Sequence, residues 1–491
     1  MADERVFLAL DLGAESGRGE LVTLREGKVA LEEIHRWPNR PVRMAGTLHW
    51  DFPFLYAECL AALRKCAERG LALSGIGVDT WGVDFGLLDR DGRLLGLPVH
   101  YRDGRTDNIH DYSDPILSRD EIYTLTALEP WQISTLFQLL AMQRDGSPVL
   151  AGAETLLQMP DLVTYFLTGV KAVERSHVQT GNLLGTDRQW CWEIIDRFGL
   201  PRKLFGRLIG PAEVIGPLQA AVREEVGLGE VPVVAVCGHD TGSAVAAVPG
   251  EGPNWAYLSC GTWSILGKVV AEPINDLACL RKGFTNELSY GTWYLARNIL
   301  GLWLVQQLRA KWDQSGDPWD YDRMTAEAAA AQTDLLLNAV DSSLLAPPDM
   351  EEALVALLTG SGQHEPRSRG ELVRCVLQSL ALEYGVVLDD VGEVTGRRPD
   401  AVYMVGGGIH NKLLCQLTAD ACGVVVHAGV DQCTAIGNAL GQALALGILK
   451  SPAEIRQVVR NSFEVTPYAP QDPTAWEDNK ARYRALKPAA E

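Results

Sequence analysis

The sequence lacks any run of about 20 apolar residues, the length a helix needs to cross a bilayer, so no membrane span is expected. Its opening, Met1-Ala-Asp-Glu-Arg, leads into an apolar strand-like segment without a signal-peptide pattern, and the expected location is the cytoplasm. Metal-binding or redox spacing is missing as well: none of the 10 cysteines stands in a CxxC or CxxH pair, and Cys59, Cys237 and Cys375 sit in apolar segments where a thiol packs as a small hydrophobe. Cys415 and Cys422 are close enough to pair, but a reducing compartment favours two buried thiols. Positive charge is also short, with 44 basic against 63 acidic side chains and a net charge of −19. A nucleic-acid duplex would be repelled over most of such a surface, which excludes it as a partner. A small anionic ligand is compatible, because backbone N–H groups, a divalent cation and a few placed cations hold phosphates locally.

What is present is a long chain rich in core material: 491 residues, 47% hydrophobic, enough for about two to four domains. Strand and helix patterns mix along it, an α/β reading. Val6–Leu10 and Glu20–Leu24 read as the arms of a hairpin, and Ala256–Ser259 with the strand through Ile265 and Leu266 forms a comparable unit near mid-chain. Further helices are expected at Phe54–Arg69 and Leu372–Val391, and strands at Gly75–Asp79, Val83–Leu88 and Val231–Cys237. Val248-Pro249-Gly250-Glu251-Gly252-Pro253-Asn254 concentrates breakers and marks the boundary between an N-terminal domain over 1–248 and a second over 255–450. Residues 451–491 read as a tail packed on one domain, ending in a helix near Trp476–Leu486.

Five clusters could carry chemistry. Asp11-Leu12-Gly13-Ala14-Glu15-Ser16-Gly17-Arg18 puts a carboxylate at a strand end before a bend whose N–H groups could approach phosphate, or it is simply a hairpin turn. Gly261-Thr262 repeats that pattern in the second hairpin, while Gly267-Lys268-Val269 fails the P-loop pattern. Val402–Val405 followed by Gly406-Gly407-Gly408 is a strand–glycine–helix junction against which a nucleotide could lie, without a dinucleotide fingerprint. Asp240, in Gly238-His239-Asp240-Thr241-Gly242, is placed either to take a proton from a hydroxyl or to cap a helix. Asp79-Thr80-Trp81-Gly82 offers an aromatic either to a sugar face or to the core, and Tyr101–Thr106 reads as a solvated turn. A helix expected over Trp293–Ala310 would put Asn298, Leu302 and Gln306 on one face, with the two amides about 12 Å apart.

Taken together, DLGAESGR (Asp11–Arg18), VDTWGVDFGLLD (Val78–Asp89), YRDGRTD (Tyr101–Asp107), GHDTGSAVAAVP (Gly238–Pro249), SCGTWSILG (Ser259–Gly267), RNILGLWLVQ (Arg297–Gln306) and VGGGIHNKLLCQLTADACG (Val405–Gly423) resemble the FGGY carbohydrate kinases of the actin/Hsp70/hexokinase ATPase superfamily. The resemblance implies two actin-like, ribonuclease H-like domains facing a central cleft, with ATP, Mg2+ and a ketose as ligands. It implies that Asp11 binds magnesium and that Ala14, Glu15, Ser16, Gly17, Arg18 and Thr262 line the ATP phosphates. Gln306, Gly406 and Gly407 would lie on the nucleotide side, and Gly82, His239, Asp240, Thr241 and Asn298 would contact the sugar, with Asp240 as general base. Two departures are visible. Glu15 adds a carboxylate where the branch most resembled has a smaller residue, and Leu136-Phe137-Gln138-Leu139-Leu140 lacks the lysine signature of many other members. That branch implies L-rhamnulose as substrate; L-fuculose, xylulose or a related polyol are the rivals, and a non-catalytic sugar sensor is the alternative from another class.

Overall fold

The structure is a computed structural model that describes residues 4–487. The described residues form two compact units, one of residues 4–249, 269–295 and 432–462, the other of 250–268, 296–431 and 463–487.

The first unit is built on a six-stranded sheet in the order Glu213–Pro217, Pro232–Ala235, Leu73–Thr80, Arg5–Leu12, Ser16–Arg25, Lys28–Pro38. Its middle is parallel: Arg5–Leu12 runs alongside Leu73–Thr80, which runs alongside Pro232–Ala235, and the outer pairings are antiparallel. Strands covered on both faces read as apolar runs, as Phe7-Leu8-Ala9-Leu10 does here. Leu8, Leu10 and Leu12 join the core that includes Leu55, Cys59 and Leu63 of the helix Phe52–Glu68. The helix Cys433–Ala445 meets the other face, where a Cβ on Gly75 or Gly77 would come within 2.7 and 2.3 Å of Gln442 and Asn438. Glycine at those two positions therefore lets the helix lie directly on the strand. The helix Pro452–Ser462 belongs to this unit, its Ser462 hydroxyl accepting from Val29 N–H at 2.8 Å.

The second unit repeats the plan. Trp255–Cys260 pairs antiparallel with Trp263–Val270 and parallel with Ala401–Val405, next come parallel Val425–Ala428 and antiparallel Thr466–Tyr468. Each unit thus has a hairpin whose first strand continues into two parallel strands and a closing antiparallel one. Its long helix, Arg369–Thr395, starts on the Ser368 side chain and ends at left-handed Gly396. It crosses Lys412–Cys422 so closely that a Cβ on Gly385 would come within 2.5 Å of the Ala421 carbonyl. The helix Pro473–Ala485 lies in this unit.

One expected element is different. Trp293–Leu300 is a strand, and the helix runs over Trp303–Gln314 after a turn at Gly301-Leu302. Asn298 therefore lies on a strand and Gln306 on a helix, and the shared helical face over Trp293–Ala310 does not exist. The reason is packing: Trp-Tyr-Leu-Ala-Arg-Asn-Ile-Leu carries aromatic and β-branched residues suited to a pleated surface, and its apolar run matches a helix equally well. The ten cysteines are buried and none is in a disulfide, Cys415 and Cys422 standing as separate thiols. No helix among the described residues is long and apolar enough to cross a membrane.

Candidate functional site

In the first unit the polar residues gather at the carboxyl ends of the parallel strands, where α/β sheets place ligands. Asp11 closes the first strand opposite Arg18 in one register and Asp79 in the other. The Arg18 guanidinium approaches the Asp11 carboxylate at 3.4 Å. Burial drives the Asp11 carboxyl up to about 6 against the pull of Arg18, and Asp240 adds to the rise. Asp79, fully buried, is pushed well above the usual carboxylate range by burial and by Asp11; it accepts from the Asn438 amide while its Oδ1 has no hydrogen-bond partner. Two neighbouring carboxylates, with Arg18 beside Asp11 alone and one oxygen of Asp79 unsatisfied, are a chemical fit for a hard divalent cation shared with substrate phosphates. Among the described residues no group of three or more His, Cys, Asp or Glu side chains forms an all-protein metal cage.

The bend at residues 13–16 is pinned by Gly13 N–H to Ser16 O at 3.0 Å and by Asn39 N–H to Glu15 O at 2.9 Å. Ala14 and Ser16 are half-buried and Glu15 is exposed. Gly17 has a packing reason of its own, since a Cβ there would overlap the Trp37 indole at 2.3 Å.

Asp240 begins the helix Asp240–Ala246, and the N-cap position belongs to His239. Capping is therefore not what holds the Asp240 carboxylate. It accepts from the Thr241 hydroxyl at 3.1 Å and faces His239 Nε2 at 3.4 Å, with its side chain 30% exposed. The turn before it is fastened from three sides. Gly238 O accepts from Thr80 N–H at 2.8 Å, Gly238 N–H donates to the buried Glu174 carboxylate at 3.0 Å, and Cys237 N–H donates to Tyr290 Oη at 3.1 Å. His239 Nδ1 lies 2.7 Å from Glu287 Oε2.

Gly82 packs against Thr180, whose hydroxyl accepts from Val83 N–H at 3.0 Å. Trp81 is core: it stacks on Trp50 at 3.8 Å between centroids and donates to Asp84 at 3.0 Å, so its ring is not a platform for a sugar. The stretch Tyr101–Thr106 is not a solvated turn either. Asp103 is buried and accepts from Leu48 N–H at 2.8 Å, and Arg105 donates to Gln138.

The second unit carries its own set at equivalent strand ends. The Gly261-Thr262 turn accepts from Leu302 N–H at 2.9 Å and Trp303 N–H at 3.0 Å, which seats the start of the Trp303–Gln314 helix, the helix that carries Gln306, on this turn. Gly301 is obligatory there, since a Cβ would come within 2.7 Å of Gly261 O. Gly406, at φ +83°, turns the chain beside Cys260, whose carbonyl would sit 2.9 Å from any Cβ. Gly407 next to it is exposed and open. Asn298 is half-buried on its strand, after Arg297, which pairs with Glu383 at 3.3 Å and Asp390 at 3.0 Å. Glu174, Glu287 and Asn438 carry no motif in the sequence; each meets its partner across a long stretch of chain.

Two units of one plan, each with small and polar residues at parallel strand ends, define a two-domain mixed α/β fold. Solved structures share it: the ligand-bound xylulose kinase of Lactobacillus acidophilus has a TM-score of 0.81 at 16% identity, over 98% of this chain and 96% of that one. Glycerol kinase of Plasmodium falciparum with ADP has a TM-score of 0.79 at 14% identity, over 98% and 97%. The chain belongs to the FGGY family of carbohydrate kinases, whose N-terminal domain model matches residues 6–247 and whose C-terminal domain model matches 256–446. Curated relatives named rhamnulokinase include that of Bacteroides thetaiotaomicron, 40% identical over 96% of this chain and 97% of its own length, and that of Enterococcus faecalis, 35% identical over 99% and 98%. ATP-dependent phosphorylation of a sugar is the activity these relationships establish.

Proposed function

We propose that the protein phosphorylates L-rhamnulose at its 1-hydroxyl, with ATP as donor, in a cytoplasmic pathway of rhamnose breakdown. The observation that carries the chemistry is the Asp240 carboxylate, partly accessible at a parallel strand end and braced by Thr241 and His239. Asp240 accepts the proton of the sugar hydroxyl as its oxygen attacks the γ-phosphorus, giving the sugar phosphate and ADP. Gly82, His239, Thr241 and Asn298 bind the ketose. Ala14 to Arg18, with Thr262, receive the phosphates, and Gln306, Gly406 and Gly407 receive the rest of the nucleotide. Magnesium, held by Asp11 and the phosphates, would neutralise charge on the transferred group. Glu15 is the one carboxylate in that set whose charge opposes the phosphates. The shared name of the relatives supports the choice of sugar. A coupled ADP-release assay over L-rhamnulose, L-fuculose, L-xylulose and glycerol, with mass spectrometry of the product, tests it. L-Rhamnulose should give the highest kcat/KM. A better result with another ketose overturns the substrate, and sugar binding without phosphorylation replaces the kinase by a sensor.

A further inference from the structure

The side chain in contact with Asp240 is itself held by a buried carboxylate that the scheme above does not use. We propose that Glu287, on the strand Thr285–Leu288, is a positioning residue that fixes the His239 imidazole as a directed hydrogen-bond donor beside Asp240, and that it thereby sets which sugars are accepted. This rests on the reading of Asp240 as general base and His239 as a sugar contact.

The geometry is a relay of three side chains. Glu287 Oε2 stands 2.7 Å from His239 Nδ1 and accepts from Tyr294 Oη at 2.7 Å, and the tyrosine oxygen is 3.3 Å from the same ring nitrogen. A carboxylate at Nδ1 makes that nitrogen the donor and aims Nε2 at Asp240 Oδ1, 3.4 Å away. The strand that carries Glu287 is hydrogen-bonded through the residues around it. Asn286 next to it donates to Ala127 O at 3.0 Å and to Ile274 O at 2.9 Å, and Ser289 Oγ donates to Gly242 O, in the Asp240 helix itself, at 2.8 Å. Glu287 is thus locked to the same helix that presents Asp240.

Charge follows from this placement. Burial opposes a charge on His239, but Glu287 outweighs it by charge and hydrogen bond, with help from Asp240 and Glu174, and the imidazole rises to about 9. Burial would likewise raise Glu287, yet His239 and Tyr294 hold it low. The remaining titratable neighbour, His177, has its ring centroid 6.4 Å away and is kept neutral, first by burial and then by His239. At neutral pH His239 is therefore a cation, and Nε2–H offers a charged donor to a sugar oxygen. The charge itself is balanced by Glu287, so what a ketose without an acceptor there forfeits is the charge-assisted hydrogen bond from Nε2, a penalty for a misoriented hydroxyl.

The test is Glu287→Gln, which keeps the shape and loses the charge, assayed with the ketose the native enzyme turns over best. At pH 8, kcat/KM for the sugar should fall about tenfold or more while KM for ATP holds. Activity should recover in part toward pH 6, where His239 regains its proton, and Glu287→Asp should restore part of it at pH 8. NMR titration of His239 reads the same change without turnover: its midpoint should drop by more than one pH unit in the Gln variant. An unshifted midpoint, or equal losses toward ATP and sugar at every pH, overturns the proposal. A native enzyme that phosphorylates no ketose would sink the proposed function instead, and the NMR titration would still decide the role of Glu287.

Discussion

At Asp240 the structure separates two readings that the sequence left open. An aspartate at the first turn of a helix is most simply a cap, but the cap position is occupied by His239 and the carboxylate is held by Thr241 and the imidazole. Asp240→Asn keeps that hydrogen-bonding shape and removes the base, so kcat should fall by about 100-fold or more, with sugar and ATP binding by calorimetry nearly unchanged. A loss under about tenfold would deny it that role. A second residue-scale prediction concerns Glu20, whose buried carboxylate has no hydrogen-bond partner on either oxygen. Burial, only partly countered by Arg18, lifts its carboxyl to about 7. Because the folded value is raised, its contribution is fully present below the unfolded value of 4.5 and is lost as pH rises through 7. Glu20→Gln should therefore raise Tm at pH 8, by up to ~3 kcal/mol in stability, and change little at pH 4.5. An equal shift at both pH values would show that the gain has nothing to do with ionisation.

At the level of elements, the glycine junction after Ala401–Val405 links the fold to the nucleotide site proposed above. Gly406→Ala forces a side chain into a left-handed position against the Cys260 carbonyl, a cost of about 1–3 kcal/mol, whereas a Cβ on Gly407 meets nothing within 4 Å. Gly406→Ala should lower Tm, and Gly407→Ala should leave Tm alone while raising KM for ATP several-fold, because only the nucleotide needs the open face. An unaltered KM in the Gly407 variant would remove that residue from the site. The junction was legible because strand, glycines and helix stand together in sequence, and so were both hairpins and the long helix, which runs slightly beyond Leu372–Val391 to Arg369–Thr395. Trp293–Ala310 was misread because one apolar run fits either period until Gly301 and its contact with Gly261 are seen. Glu287 could not be read at all. The tetrapeptide Thr-Asn-Glu-Leu has no pattern of its own, and its partner His239 lies in another element. Trp81 failed in the opposite sense: a motif residue at a strand end, it serves the core because Trp50 and Asp84 claim its ring and its N–H.

Across the whole molecule, the buried titratable groups combine into a pH dependence that none sets alone. Burial raises Asp11 and Asp84 to about 6 and Glu20 to about 7, and pushes Asp79 and Asp161 well above the carboxylate range. Each of these contributes stability that is complete below its unfolded value and lost as pH climbs through the folded one. Two buried imidazoles work the other way: burial lowers His177 to about 3 and His100 to about 4, so their stability is present above 6.5 and lost as pH falls toward those values. Below pH 6.5 the two sets oppose each other, but five carboxyls outweigh two imidazoles and stability already falls as pH rises. By pH 7.5 the unfolded imidazoles are neutral too, and the opposing slope vanishes. From there upward the signs agree. His239, at about 9, loses its stabilising proton as pH rises, and thiols such as Cys59, Cys375 and Cys422, raised by burial to about 12, begin to favour the unfolded chain. Each group held protonated only in the fold costs about 1.4 kcal/mol per pH unit through its window. Scanning calorimetry should therefore find Tm falling steadily as pH rises from 7.5 to 9. Glu287→Gln should flatten the part of the fall that belongs to His239, and a Tm that stays constant or rises between pH 7.5 and 9 would mean that the buried charges titrate as they do in water.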